Sequence, residues 1–132
     1  MAAVVSVNVL GFILHEVVLG PVYKRPHYTM LWNSPEVMAE RRWAMWLAHL
    51  IFGIVFTKLY AQGYEHSKPA LGQGLRFGLL AGLLTGPLYA LVEYMVYPVS
   101  LGLASAWIAG WMLNGILLGA VVSLIYKPSL PH

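Results

Sequence analysis

Four ionisable side chains stand inside runs that are otherwise apolar: His15 and Glu16 in "ILHEVV", His49 in "WLAHLIF" and Glu93 in "LVEYMV". Asn114, in "WMLNGIL", is a fifth polar residue in the same kind of setting. A charge at the centre of a bilayer costs about 2.5–3.5 kcal/mol on insertion scales, so such residues call for partners or a use. Three kinds of chemistry suit these types. In the first, histidine and carboxylate side chains hydrogen-bond across helices and hold a buried polar layer together, helped by Arg41 or Arg42 folding in from a neighbouring loop. In the second, His15 and His49 act as axial ligands of a haem iron or a chlorophyll magnesium. In the third, Glu16 and Glu93 titrate along a proton or solute path, with Asn114 and Thr85 as the candidates further in. A tight metal centre is disfavoured. His15 and Glu16 are neighbours on one helix and point about 100° apart, so they cannot both aim at one ion.

These groups fall at a common depth when counted from the ends of their segments. Glu16 precedes Pro21 by five residues, Glu93 precedes Pro98 by five, and His49 follows Trp43 by six. At about 1.5 Å per residue this places His15, Glu16, His49 and Glu93 roughly 7–9 Å inside the same boundary, with Asn114 deeper.

The elements that must position them are membrane helices. The chain has 132 residues, 59% of them hydrophobic and 10% charged, and its mean hydropathy is +0.68. A water-soluble domain of this size carries far more polar surface. Four segments are long and apolar enough to span: about 2–22, 43–62, 72–97 and 102–126. The fold class expected is therefore all-α, a four-helix transmembrane bundle forming one domain over 1–132. A short interfacial helix is expected between the first two spans, where Ser34 and Pro35 form a favourable N-cap and first turn. Pro87 should kink the third span. Tyr23, Tyr28, Trp32, Trp43, Trp46 and Tyr97 read as one interfacial belt; Tyr60, Tyr64 and Tyr126 read as the other.

Small residues supply the packing signal. Gly74, Gly78, Gly82 and Gly86 recur every fourth residue. In the last span Gly102, Ala106, Gly110 and Asn114 form one row, and Gly115, Gly119 and Ser123 another. Such ridges let backbones approach closely in lipid, against a neighbour in the chain or another subunit. A weak repeat relates halves 1–60 and 70–126: Gly53 precedes Tyr60, and Gly119 precedes Tyr126, by seven residues each.

The remaining signals exclude more than they assign. Cysteine is absent, so no disulfide or cysteine metal site is available. The net charge of +3 is small and scattered, which argues against nucleic acid as a partner. There is no basic stretch ahead of the first apolar run, so no cleavable leader is expected. Lys24, Arg25, Arg41 and Arg42 fall on the long-loop side, and Lys58, Lys68, Arg76 and Lys127 on the other, so the positive-inside rule ties. His27, His66 and His132 read as solvated loop or tail histidines, and no catalytic motif is present.

Through "GQGLRFGLLAGLL", "EYMVYPVSLGLASAWIAGW" and "GAVVSLIYKP", with "VFTKLYAQGYE" and the histidine of the first span, the chain resembles small bacterial four-helix integral membrane proteins of unknown function. The resemblance covers most of the chain and implies a multi-pass protein of the bacterial cytoplasmic membrane, with no catalytic residue to carry over. The function expected is non-enzymatic: an accessory or structural subunit among membrane lipid and other membrane subunits, photosynthetic or respiratory. A haem- or chlorophyll-binding protein and a small transporter are the alternatives.

Overall fold

A computed structural model describes residues 1–126; Lys127 and His132, placed above on the terminal side and in the tail, lie outside the described residues. Every regular element among the described residues is helical. Three helices are long and apolar enough to cross a membrane: α5 (Arg42–Gln62), α6 (Ala70–Val96) and α7 (Leu101–Ile125). They match the second, third and fourth expected spans to within two residues.

The first segment differs from expectation. It is α-helical only over α1 (Ala2–Phe12), continues as a wider π-helical segment over Ile13–Val18, and breaks at Leu19. The short α2 (Gly20–Tyr23) follows, with Pro21 in its first turn. The apolar run is thus continuous in sequence but not in helix. Pro21 has no N–H to give the carbonyl four residues back, and its ring crowds that carbonyl. The chain responds by widening: the Leu19 N–H reaches the Leu14 carbonyl at 2.9 Å, a five-residue step. The helix over Ala2–Val18 is shorter than the other three.

The loop between α2 and α5 carries two more short helices. Pro26 opens α3 (Pro26–Thr29), and Ser34 and Pro35 open α4 (Pro35–Glu40) where the N-cap reading put it. The Val37 N–H donates to the Ser34 hydroxyl at 3.5 Å. Tyr28 is not a belt residue: it is buried, and its hydroxyl donates to Ser100 Oγ at 3.1 Å. The same Ser100 Oγ accepts the Leu103 N–H and caps α7. His27 is exposed, yet its Nε2 lies 2.8 Å from the Pro98 carbonyl, which can only accept, so that nitrogen carries the proton. Together these bonds clamp the first loop to the α6–α7 turn.

The glycine ridge packs within the chain. A Cβ on Gly78 would collide with the Gly115 carbonyl, and one on Gly119 with the Gly74 carbonyl. A Cβ on Gly82 would lie 2.7 Å from Met112 Cα, and one on Gly86 2.9 Å from Trp111 Cβ. Ala90, fully buried, extends the row by another turn. Helices α6 and α7 therefore meet backbone to backbone in the most extensive contact of the molecule. Four glycines cost α6 roughly 2–4 kcal/mol in helix propensity relative to alanine, which this close contact offsets. Elsewhere Gly110 takes Leu14, seating the π-helical segment on α7, and Gly53 takes Val4, seating α5 on α1. Between α5 and the α6–α7 pair the filler is aromatic: Phe56 and Tyr60 pack on Phe77, and Phe52 on Trp111. Buried clusters close both ends. Leu19, Tyr28, Val99, Leu103 and Trp107 lie at the long-loop end, with Ala3, Phe56, Tyr60, Leu118 and Val122 at the terminal end.

Candidate functional site

The polar groups singled out from the sequence come from the π-helical extension of α1 and from α5, α6 and α7, but hydrogen bonds do not join them into one network. They divide into two hydrogen-bonded chains and three separate residues.

The first chain runs through the π-helical segment. Trp107 Nε1–H, on α7, donates to the Tyr23 hydroxyl at 2.7 Å, and that hydroxyl lies 2.8 Å from His15 Nδ1. The rings of His15 and Tyr23 stack at 5.9 Å with 14° between planes. Tyr23 accepts from the indole, so its single proton is free for His15. In the arrangement that uses every donor, Tyr23 O–H donates to Nδ1 and the neutral imidazole carries its own proton on Nε2.

The second chain joins α1 to α5. Asn8 Nδ2 donates to the Val4 carbonyl at 2.7 Å, which turns Asn8 Oδ1 toward His49 Nδ1, also at 2.7 Å. A carbonyl oxygen can only accept, so His49 carries its proton on Nδ1 and presents a lone pair at Nε2. No buried side-chain nitrogen or oxygen among the described residues lacks a partner, so the unbonded Nε2 of half-buried His49 is reachable from outside the bundle.

Neither carboxylate joins a chain through a hydrogen bond, although Glu16 lies within electrostatic reach of His15 and Tyr23. Glu16 is exposed, and Glu93 is half-buried on α6. Neither makes a side-chain hydrogen bond or ion pair among the described residues, where the ion pair present is Lys68–Glu65 at 2.7 Å. Arg41 and Arg42 remain exposed at the junction of α4 and α5 and do not fold in. The expected convergence of His15, Glu16, His49 and Glu93 is corrected in part: Glu16 is exposed and neither carboxylate is hydrogen-bonded to a histidine, while His15 lies within electrostatic reach of His49, because equal depth along helices does not give equal azimuth around them. The π-helical segment turns His15 inward to Tyr23 and leaves Glu16 outward. Asn114 lines a central cavity of about 10 Å³ with Val7, Phe52, Gly82, Thr85, Trp111 and Leu118. That is room for about one water molecule. No three of His, Asp and Glu come together as a metal-holding group among the described residues.

The partners that sequence reasoning missed are Asn8, Tyr23 as an internal group, and Trp107. Asn8 carried a readable signal, because an amide in an apolar run needs a partner as a histidine does. Tyr23 and Trp107 carried none, since aromatics fit a belt or a core equally well.

No protein-family model, no curated protein and no solved structure matches the chain.

Proposed function

We propose that this chain is a four-span protein of the bacterial cytoplasmic membrane and serves as a non-catalytic subunit of a larger membrane complex, photosynthetic or respiratory. In this reading α1 and its π-helical extension form the first, short span. The observation that carries the proposal is the closed interior. The glycine contacts bring α6 and α7 to backbone distance, and the cavity left at the centre is about 10 Å³. A bundle filled in this way through its middle has structure to offer a neighbour; the roomier space among the described residues, about 230 Å³, is a half-open recess at the terminal end beside Ala3, Thr57 and Tyr126 and does not run through the bundle. The outer surface agrees: Leu80, Leu84, Leu88 and Met95 on α6 are 65–77% exposed and suit lipid or a neighbouring helix. Mild extraction from the native membrane, followed by sizing and identification of what travels with the chain, tests the reading. A larger assembly of defined composition is the expected result, and a lone chain in lipid overturns it. Purified protein in liposomes should carry no pH-dependent flux. Flux that disappears with Glu93→Gln would establish the transporter alternative instead.

A second reading draws support from the Asn8–His49 bond. Metal-ligating histidines hold their second nitrogen by donating to a carbonyl or carboxylate, which fixes ring and tautomer. His49 has this arrangement, with Nε2 free for a haem iron or chlorophyll magnesium. His15 does not share it, because its Nδ1 accepts from Tyr23 and its proton sits on Nε2. A Soret band that is lost on His49→Ala and kept on His15→Ala is the expected signature of this reading. A colourless preparation from native membranes overturns it.

A further inference from the structure

The Tyr23 hydroxyl is held between a donor and a base. It accepts the Trp107 indole proton at 2.7 Å and gives its own to His15 Nδ1 at 2.8 Å. Other tyrosines whose hydroxyls donate are placed differently. Tyr28 donates to the Ser100 hydroxyl and Tyr60 to the Ala70 carbonyl, and neither acceptor takes up a proton at neutral pH. His49 is a base without a phenol, because Asn8 Oδ1 occupies its Nδ1 side. Tyr23 and His15 thus form a phenol–imidazole pair with the proton between them.

A phenol bonded in this way is set up to lose an electron and a proton together. Burial pushes Tyr23 up to about 12, so it stays protonated at neutral pH. Loss of an electron alone would leave a cationic phenol in half-buried, largely apolar surroundings, which is costly. Loss of both leaves a neutral ring and moves the positive charge one hydrogen bond away, to His15. There Glu16 lies within electrostatic reach and offsets it. The other titratable groups within reach, His49 near His15 and Tyr89 near Tyr23, add no negative charge while His49 is neutral and Tyr89 protonated. The pair also has an outlet. The ring of Trp32 meets that of Tyr23 edge to face at 5.5 Å and is 39% exposed, so an electron acceptor outside the chain comes within one ring of Tyr23. No substrate has to enter the closed interior.

We propose that Tyr23 and His15 form a one-electron, one-proton redox site, in which Tyr23 gives an electron to a high-potential oxidant of a neighbouring subunit, of the class of a photo-oxidised chlorophyll, as its phenolic proton passes to His15 Nδ1. The Tyr23 O–H bond breaks and an N–H bond forms at Nδ1. Tyr23 becomes a neutral phenoxyl radical, His15 an imidazolium, and the oxidant gains the electron. Return of the electron sends the proton back. The proposal rests on the subunit reading above only for the neighbour that holds the oxidant.

Flash oxidation of the purified full-length chain in nanodiscs tests it, with tris(bipyridine)ruthenium(III), generated by light and persulfate, as the oxidant. Electron paramagnetic resonance should show a neutral tyrosyl radical, and histidine labelled with heavy nitrogen should show that radical coupled to an imidazole nitrogen. Tyr23→Phe should remove this signal. His15→Gln keeps an acceptor for the phenol but no base, so it should slow formation of the radical by about a hundredfold, the contribution of a positioned base. A merely structural hydrogen bond predicts no such slowing. A radical that survives Tyr23→Phe unchanged, a radical without the imidazole coupling, no radical at all, or formation in His15→Gln at the rate of the unaltered chain each overturns the proposal. The coupling in the unaltered chain decides it should either variant fail to fold. Its failure is separable from that of the subunit reading. A chain that extracts alone yet forms the coupled radical loses the subunit reading and keeps the redox pair. A chain that co-purifies with a complex and forms no such radical is a subunit in which the Tyr23–His15 bond is structural only.

Discussion

Two histidines in similar apolar settings end in opposite states, and the difference lies in what each partner can donate. Asn8 gives an amide hydrogen to the Val4 carbonyl and so turns only its acceptor oxygen to His49. Tyr23 receives the Trp107 proton and so has its own to give His15. Histidine NMR with ring-nitrogen labels should therefore show His49 protonated at Nδ1 and His15 at Nε2. Asn8→Leu should release His49 to a mixture of tautomers and leave the His15 signal in place; an unchanged His49 signal would falsify the assignment. Tyr23 also has a structural role, because it satisfies the indole N–H of Trp107, which is buried. Hydrogen bonds between membrane helices contribute about 0.6 kcal/mol on average and up to about 1.7. Tyr23→Phe should lower unfolding stability in bicelles within that range. Trp107→Phe in the Tyr23→Phe background should then cost less than it does alone, since the pair has already been broken. Additive losses would show that the two side chains do not interact.

At the scale of elements, glycine position decides the sign of a substitution. Gly78 has no space for a Cβ against Gly115, whereas Gly72, six residues earlier in α6, meets nothing within 4 Å. Gly78→Ala should destabilise the bundle by about 1–3 kcal/mol through overpacking. Gly72→Ala should stabilise it by about 0.5–1 kcal/mol through helix propensity alone. Opposite shifts of the unfolding midpoint are the expected pair, and equal shifts would mean that the ridge is not the contact. Helix α4 responds to pH. The Ser34 hydroxyl holds the exposed Glu36 carboxyl below its ordinary range, so the ionised form favours the helix. That contribution is present above the ordinary carboxylate range and is lost as pH falls through the lowered value. Amide protection factors at Val37 and Met38, which compare exchange with the intrinsic rate at each pH, should fall on acidification, and Glu36→Gln should remove the effect. The elements that sequence alone made legible are those with a strong local signal. Length and apolarity placed α5, α6 and α7, four-residue spacing identified the ridge, and Ser34–Pro35 started α4. The π-helical segment was hidden because hydropathy ignores how Pro21 disturbs the turn before it. The polar layer was misread for a related reason: residue counting yields depth, while contact also requires azimuth, and the widened turn at Ile13–Val18 changes azimuth without changing composition.

At the scale of the whole molecule, the arrangement couples two hairpins built by similar means. Gly53 seats α5 on α1, Gly119 seats α7 on α6, and the tyrosine seven residues beyond each meets the other at 5.8 Å. The common device is consistent with the weak repeat between the halves. The two hairpins nevertheless differ in their connection: α6 and α7 join through a tight turn, whereas α1 and α5 are separated by a loop carrying three short helices. The question this leaves at molecular scale is topological, because the short first helix decides whether the termini of α1 and α6 share a side. The alternating directions of α1, α5, α6 and α7 put Ala3, Tyr60, Gly74 and Val122 at one end of the bundle, and Tyr23, Tyr28, Ala90 and Val99 at the other. The chain has no cysteine, so single cysteines can be introduced without a background. Ala2→Cys and His66→Cys should react with a membrane-impermeant maleimide from one side of sealed vesicles, and Arg25→Cys and Tyr97→Cys from the other. If α1 instead lies along the surface, Ala2→Cys will label together with Arg25→Cys and opposite to His66→Cys. That outcome would reduce the spans to three and move the two ends of α1 to one side.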